Sequence, residues 1–507
     1  MGIPEQRAGM VQSILVVGGG SAGWITANLL NAHIRRAGRP TTVTLVESPD
    51  IPTIGVGEAT VPTIRRTLSD IGLPEQDLLT SAEATFKTLI RFRDWNPGES
   101  YDHPFDRRQR PHTDAAVRGW TAQNGQAFDR AFSALTQLAD FNIAPKSPHT
   151  PQYRGNFPYA YHLDAIKLAK RLSEFGQARG IRHKLANITE VKVSPEGQIS
   201  SVKTDQGETL TADLYVDCTG FRSALLGKAL DVPMKSYAKY LLCDRAVTMR
   251  VPYEVYKPER ILTYTLATAR EAGWQWDINL QSRRGIGYVY SSQFLSDDAA
   301  EAALRRYEGS HSDTLEARHI KFTSGKREMS WKGNCVAVGL SDGFLEPLES
   351  SGLYFIEFAA LAIASMLEDY AAAPEATVRY YNRISNELFQ EILGFINLHY
   401  VTSKRRDTPF WQAATADEAI LDDLRDRLEL WKRRSPTQFD FPGADRLFAQ
   451  DSYEFILHGM KYVEGPAGTA PMPPDLSGMV AKSRSELPEH EAFLALVQKA
   501  AAARPVG

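Results

Sequence analysis

The stretch that most constrains this chain is Ile14 to Trp24, ILVVGGGSAGW, an apolar run that breaks into glycines and resumes as Ile25, Ala27, Leu29 and Leu30. That order predicts a buried strand, a tight turn and a helix. Gly18, Gly20 and Gly23 stand at the spacing of a dinucleotide fingerprint. The first glycine makes the turn, the second lets backbone approach a pyrophosphate, and the third lets helix pack on strand. The helix then aims its free N–H groups at the phosphates. Thr42 to Val46 reads as the next strand and ends at Glu47, about 20 residues downstream, where a ribose-binding acid is expected. A glycine turn without a ligand is the competing reading; strand, loop, helix, strand and acid together favour the dinucleotide.

At 507 residues the chain is long enough for two or three domains. A formal net charge of −3 leaves no electrostatic footprint for nucleic acid. The basic triplets Lys404 to Arg406 and Lys432 to Arg434 read as solvated faces. Cys218, Cys243 and Cys335 have neither a disulfide framework nor metal-ligand spacing, so no metal and a reducing, cytoplasmic setting are expected. The longest apolar helix-like run, Phe358 to Leu367, is far short of the roughly 20 residues of a membrane span. The residues ahead of Met10 look detached from the fold, with Met10 a candidate start.

Further along, Ile51 to Thr63 is too rich in glycine and proline for regular structure and too apolar for a plain solvated loop. Gly55 and Gly57 there would let backbone lie close to a flat ligand. In TFKTLIRFRDW, Thr85 to Trp95, strand alternation puts Phe86, Thr88, Ile90 and Phe92 on one face and Lys87, Leu89 and Arg91 on the other. By pattern alone Lys87 is a surface lysine. The segment to Gln152, with Tyr101, His103, Phe105 and Trp120, reads as an excursion.

Regular α/β pattern resumes with a helix over Leu163 to Arg179 and strands over Ile188 to Val193 and up to Val202. Leu214 to Gly220, LYVDCTG, is a hydrophobic strand whose polar end includes Asp217. Ala246 to Val251, Trp274 to Leu280 and Gly287 to Ser291 predict an inserted antiparallel sheet. Asn334 to Gly339 then leads into LSDGFLEPLESSG and a long helix from Leu353, whose start lets Ser351 and Gly352 present N–H groups to an anion. Glu346 and Glu349 precede it, where an acid can simply complement the helix dipole. The remainder reads as mostly helical: Thr377 to Ile396, Thr415 to Trp431, Tyr453 to Met460 and Glu489 to Ala502. Thr415 and Glu418 have capping-box spacing, and Ile420, Leu424 and Leu428 form one stripe.

GGGSAGW at Gly18 to Trp24, GVGEATVP at Gly55 to Pro62, GWQWDI at Gly273 to Ile278 and FLEPLESSG at Phe344 to Gly352, in this order, resemble the flavin-dependent halogenases of the tryptophan halogenase type. The likeness runs from about residue 13 to at least Trp411, with Trp-x-Trp-x-Ile its most specific motif. It implies an α/β, two-dinucleotide-type FAD-binding domain (10–100, 155–235 and 325–375) with inserted substrate-side segments (101–154 and 236–324). A helical C-terminal region (376–507) completes that expectation.

The resemblance also implies a chemistry. Reduced FAD and oxygen would convert chloride or bromide to hypohalous acid, which reaches an aromatic substrate through an internal tunnel. The family's catalytic lysine falls on Lys87 and its catalytic glutamate on Glu349. Its halide site falls on Ser351 and Gly352, and its strap beside the flavin on the loop that contains Gly55, Gly57, Glu58 and Ala59. An aromatic pair lining the substrate pocket falls on His103 and Phe105, and the flavin-side tryptophans on Trp274 and Trp276. Gly18, Gly20, Gly23, Glu47, Asp217 and Gly339 complete the expected cofactor contacts.

Two departures keep every reacting group: Asn279 stands where proline is usual, and Ser351 where threonine is usual. Asp451 to Tyr462 shows no match to the residues that hold the amino acid end of tryptophan, which points to an indole-like ring as substrate. Free tryptophan is the alternative, followed by an aromatic hydroxylase and a non-catalytic flavin sensor on the same fold. With no second nucleotide fingerprint, a separate flavin reductase is expected, and the chain as monomer or homodimer, without nucleic acid or membrane partners.

Overall fold

The structure, a computed structural model, describes residues 10–51, 58–108, 114–118, 120, 126–441, 446–464 and 473–503. It divides into two compact units. One comprises the chain up to Ala82, Asp164–Ser236 and Ser324–Gln390; the other comprises Glu83–Leu163, Tyr237–Thr323 and the chain from Glu391. Residues 83–100 therefore group with the inserted sheet rather than with the first nucleotide segment, and the C-terminal helices join that same unit.

In the first unit a six-stranded sheet runs in the order Trp331–Lys332, Cys335–Ala337, Leu214–Asp217, Ser13–Val17, Thr42–Glu47, Arg182–Leu185. All neighbours are parallel except the first pair. Parallel strands are covered on both faces, which is why ILVV and LYV read as continuous apolar runs. Ile14 lies between Leu214 and Val43, and Val17 between Asp217 and Val46. This register brings the polar strand ends Glu47 and Asp217 level with the glycine turn. Leu15, Val17, Val46, Val202, Tyr215 and Ala337 form the core beneath. The helix Ser21–Arg36 packs against the helices Ala165–Gln177 and Gly352–Ser365. Asp164 starts the second of these by accepting the Ile166 and Lys167 N–H groups, as an N-cap does.

The second unit is built on a seven-stranded sheet, in the order Ala317–Lys321, Arg245–Pro252, Arg283–Tyr290, Gly273–Asn279, Tyr264–Arg270, Leu89–Arg93, Ser100–Pro104. Only the contact between Tyr264–Arg270 and Leu89–Arg93 is parallel. Tyr264–Arg270 had no counterpart in the sequence reading. The stretch expected as one strand, Thr85 to Trp95, is two: Thr85–Lys87 and Leu89–Arg93. Thr88 leaves the ladder between them, its N–H and hydroxyl both donating to the Thr263 carbonyl while its own carbonyl accepts from Phe105.

The helix expected from Thr415 begins instead at Asp422 and runs to Arg433. Thr415 ends the preceding helix, Pro409–Ala414, and its hydroxyl donates backward to the Trp411 carbonyl, so its spacing to Glu418 mimics a capping box without forming one. Leu424, Leu428 and Trp431 make the buried stripe, and Ile420 lies ahead of it. Among the described residues no helix is long and apolar enough to cross a membrane.

Candidate active site

The glycine turn of the first unit leaves no room for side chains. Gly18 has φ +115°, and a Cβ there would lie 2.2 Å from the Cys218 carbonyl oxygen. A Cβ on Gly23 would lie 1.8 Å from the Gly18 carbonyl oxygen, which is the close helix-to-strand approach expected of the third glycine. Gly20 is extended at the N-cap of Ser21–Arg36 and offers no side-chain cap to the first N–H groups. Glu47 is held over this turn: its Oε1 lies 2.7 Å from His183 Nε2, and a Cβ on Gly19 would strike its Oε2. Both Gly19 and His183 escaped the sequence reading. A cradle of bare backbone with an acid at its rim fits a dinucleotide.

Asp217 Oδ1 accepts from the Thr219 N–H and hydroxyl, and its Oδ2 accepts from the Leu225 and Leu226 N–H groups, with the side chain fully buried. Its carboxylate thus builds the turn after its strand. Gly339, at φ +69°, comes within 3.0 Å of the Ala22 Cβ through its own would-be Cβ, close to the same helix start. Gly55 and Gly57 lie outside the described residues. Glu58 and Ala59 form a short strand. Glu58 keeps part of its surface exposed, yet its carboxyl sits in dense surroundings that, with the nearby Asp164, push its pKa up to about 7.

The second element of this unit is the approach to Gly352–Ser365. Pro347–Glu349 is a single tight turn that buries Glu349, and Ser350 then takes φ +59°, a left-handed conformation a serine adopts only under constraint. That twist delivers Ser351 as the N-cap, but its side chain does not cap. Ser351 Oγ is buried and has no hydrogen-bond partner among the described residues. A Cβ on Gly352 would meet nothing within 4 Å. Open space beside Gly352 and a hydroxyl without a partner among the described residues, at the positive end of a helix, suit a small anion.

In the second unit Lys87 ends the strand Thr85–Lys87 opposite Ala160, with 0% of its surface exposed. This overturns the surface lysine read from alternation, because both faces of this strand are covered: Thr85 and Phe86 are equally buried. Lys87 Nζ lies 5.1 Å from the centre of the Phe105 ring, so two of the expected residues meet. His162 is held well below the ordinary histidine pKa by burial and by the Lys87 charge, and its Nε2 pairs with Thr265 Oγ1 at 2.8 Å. His103 packs on Phe395 and Phe448, which stack at 3.9 Å, and Tyr453 closes on Phe395 at 4.8 Å. These aromatics come from distant parts of the chain, and no local pattern marks them.

Trp274 and Trp276 lie on one face of Gly273–Asn279, with ring centres 6.1 Å apart. Trp276 faces Gly287, where a Cβ would fall 2.2 Å from the indole; glycine is required there to seat the ring. The Trp276 Nε1–H finds no acceptor among the described residues.

Comparison with known proteins agrees with this arrangement. A family model described as tryptophan halogenase matches residues 13–472. The tryptophan 6-halogenase SttH of Streptomyces toxytricini is 39% identical over 83% of this chain and 84% of its own. The 7-chloro-L-tryptophan 6-halogenase KtzR of Kutzneria sp. (strain 744) is 35% identical over 95% of this chain and 99% of its own. The crystal structure of a tryptophan halogenase from Shewanella frigidimarina superposes with a TM-score of 0.88 at 34% identity, covering 97% of this chain and 98% of that one. On these matches the chain belongs to the tryptophan halogenase family of flavin-dependent enzymes.

Proposed function

We propose that the enzyme halogenates an indole-like aromatic, using FAD reduced by a separate reductase, oxygen, and chloride or bromide. The observation that carries this reading is Lys87, a lysine with no exposed surface held against Phe105. When bound, reduced FAD supplies the electrons: with oxygen, halide and a proton it yields oxidised FAD, hypohalous acid and water. Gly18, Gly20, Gly23 and the N–H groups after them would hold the pyrophosphate, and Glu47 the ribose. Gly339 and the strap with Glu58 and Ala59 complete the cofactor contacts. Ser351 and Gly352 would take the halide.

Lys87 acts on the hypohalous acid in one of two balanced ways. It donates a hydrogen bond that polarises the O–halogen bond, or its amine displaces water to give a haloamine that the ring then cleaves, restoring the amine. Glu349 takes the proton that leaves the ring carbon. His103 and Phe105 line the substrate's ring, and Trp274 and Trp276 keep that ring away from the oxidant-forming step. Three buried cysteines outside any disulfide suit a reducing cytoplasm.

The names of the relatives favour free tryptophan as a second reading. Mass spectrometry of products decides between them: protein, FAD, NADH and a generic flavin reductase are offered indole or tryptophan with chloride or bromide. A halogen isotope pattern on indole alone supports the proposal, halogenated tryptophan supports the second reading, and added oxygen without halogen replaces both with a hydroxylase.

A further inference from the structure

The strand that carries Lys87 is only three residues long and pairs on one side, with Ala160–Leu163. Short edge strands fray, and a slip of one residue turns every side chain to the other face. Something must hold this one. The open edge is closed by a side chain: the Phe86 N–H donates to His490 Nε2 at 3.1 Å. His490 Nδ1 lies 2.8 Å from the Ile261 carbonyl, which can only accept, so the ring proton sits on Nδ1 and Nε2 presents its lone pair.

The ring is itself fixed. It is fully buried, its backbone N–H donates to the Asn142 carbonyl at 2.9 Å, and the neighbouring Glu491 carboxylate accepts the Ile261 N–H at 2.9 Å. Burial pushes the His490 pKa down to about 4, so the lone pair persists at neutral pH. On the other side of the lysine the Thr88 N–H is anchored to the Thr263 carbonyl at 2.7 Å. Lys87 thus leaves a backbone pinned immediately before and after it.

We infer that His490, at the start of the C-terminal helix His490–Ala502, is a positioning residue for Lys87: by accepting the Phe86 N–H it fixes the direction in which the lysine leaves its strand. The inference rests on Lys87 being the reacting lysine proposed above. Nothing in the local sequence joins the two residues, which lie about 400 positions apart.

Two substitutions separate positioning from packing. His490→Gln places an amide oxygen where Nε2 stands and keeps the acceptor for Phe86. His490→Asn places its amide nitrogen near Nδ1, keeping the bond to Ile261 and losing the one to Phe86. The aromatic identified in the product assay is the substrate, and rates are taken per folded, FAD-loaded protein. The Asn variant is expected to lose about 10- to 100-fold in kcat with an aromatic KM within about twofold, and the Gln variant to stay within about threefold of the parent. Equal rates in the two variants overturn the positioning role. Hydrogen exchange supplies the activity-independent reading: the Phe86 amide is slow in the parent and in His490→Gln, and fast in His490→Asn. Fast exchange in the parent also overturns the inference, even if the Asn variant fails to fold. Lys87→Met serves as control. Halogenation that survives it removes the proposed role of the lysine, whereas its loss combined with equal Gln and Asn variants removes only that of His490.

Discussion

The helix start proposed above for halide, in the first unit, and the lysine strand in the second are built on opposite rules. At the helix start, bonding capacity is left unused among the described residues: Ser351 Oγ is buried without a partner, the Ser351 side chain does not cap the helix, and a Cβ on Gly352 would meet nothing. Around the lysine strand, capacity is filled: the Thr85 hydroxyl donates to the Asn279 carbonyl, Phe86 N–H to His490 and Thr88 N–H to Thr263. The contrast follows from what each holds. A ligand that comes and goes needs donors that are unsatisfied before it arrives, at a cost of about 1–3 kcal/mol for each buried orphan. A reacting side chain that never leaves needs its backbone fixed.

The largest effect that could break this contrast is loss of the lysine. Lys87→Met should lower kcat for halogenation by about 10²–10⁴-fold while FAD binding, read from flavin fluorescence, stays unchanged. If halogenation persists, the saturated strand is merely structural. Next in size is the turn. Gly18→Ala adds a Cβ 2.2 Å from a backbone oxygen at φ +115°, so backbone must move. Thermal melts should show a destabilisation of about 3 kcal/mol or more, together with loss of FAD.

How far the sequence reveals each region follows the same divide. The nucleotide cradle is legible because its elements are consecutive: strand, glycines, helix and acid fall within Ser13–Glu47, and Gly19 and Gly23 are dictated by contacts within that stretch, although Gly18 is also pressed by the remote Cys218 carbonyl. The helix start at Ser351 and Gly352 is legible from its place before an apolar run. The lysine is not. Alternation predicted exposure for Lys87, since a period of two reports only that a strand has two faces, and here both are covered by elements far along the chain. It took resemblance to single it out. His490, His183 and the Phe395–Phe448–Tyr453 cluster stay invisible for the same reason: their partners are remote. The turn-building bonds of Asp217 are equally illegible, because a strand-end acid facing a cofactor and one folding its own turn look alike until their donors are known.

A smaller effect sharpens the account of the first unit. Glu357 lies on the same helix as Ser351 and is buried, with Oε2 accepting from Thr67 and Oε1 without a partner among the described residues. Burial outweighs the hydrogen bonds from Thr67 and Thr63 and pushes its pKa from 4.5 up to about 8. Between those values the folded protein binds more protons than the unfolded chain, so stability is fully present below pH 4.5 and falls as pH rises through 8. The loss should be a few kcal/mol. Glu357→Gln, which is neutral throughout, should flatten that slope in denaturant titrations at pH 5 and pH 8. An unchanged slope would mean that the carboxyl is already ionised, and that this helix does not tolerate orphan polar groups as the contrast requires.

The smallest expected effect is the most specific, because it carries two opposite signs. Ser351→Ala removes a buried hydroxyl that has no partner among the described residues. If the hydroxyl were part of the fold, its loss would cost stability. If it is held in reserve for halide, its removal relieves an unsatisfied group and should raise stability by about 1 kcal/mol in halide-free buffer. The same substitution deletes one of the few donors at the helix start, so the KM for chloride or bromide should rise several-fold, equivalent to about 1 kcal/mol. The aromatic KM should stay unchanged. Stability and halide affinity that fall together would mark Ser351 as structural, and the open helix start would then obey the same rule as the lysine strand.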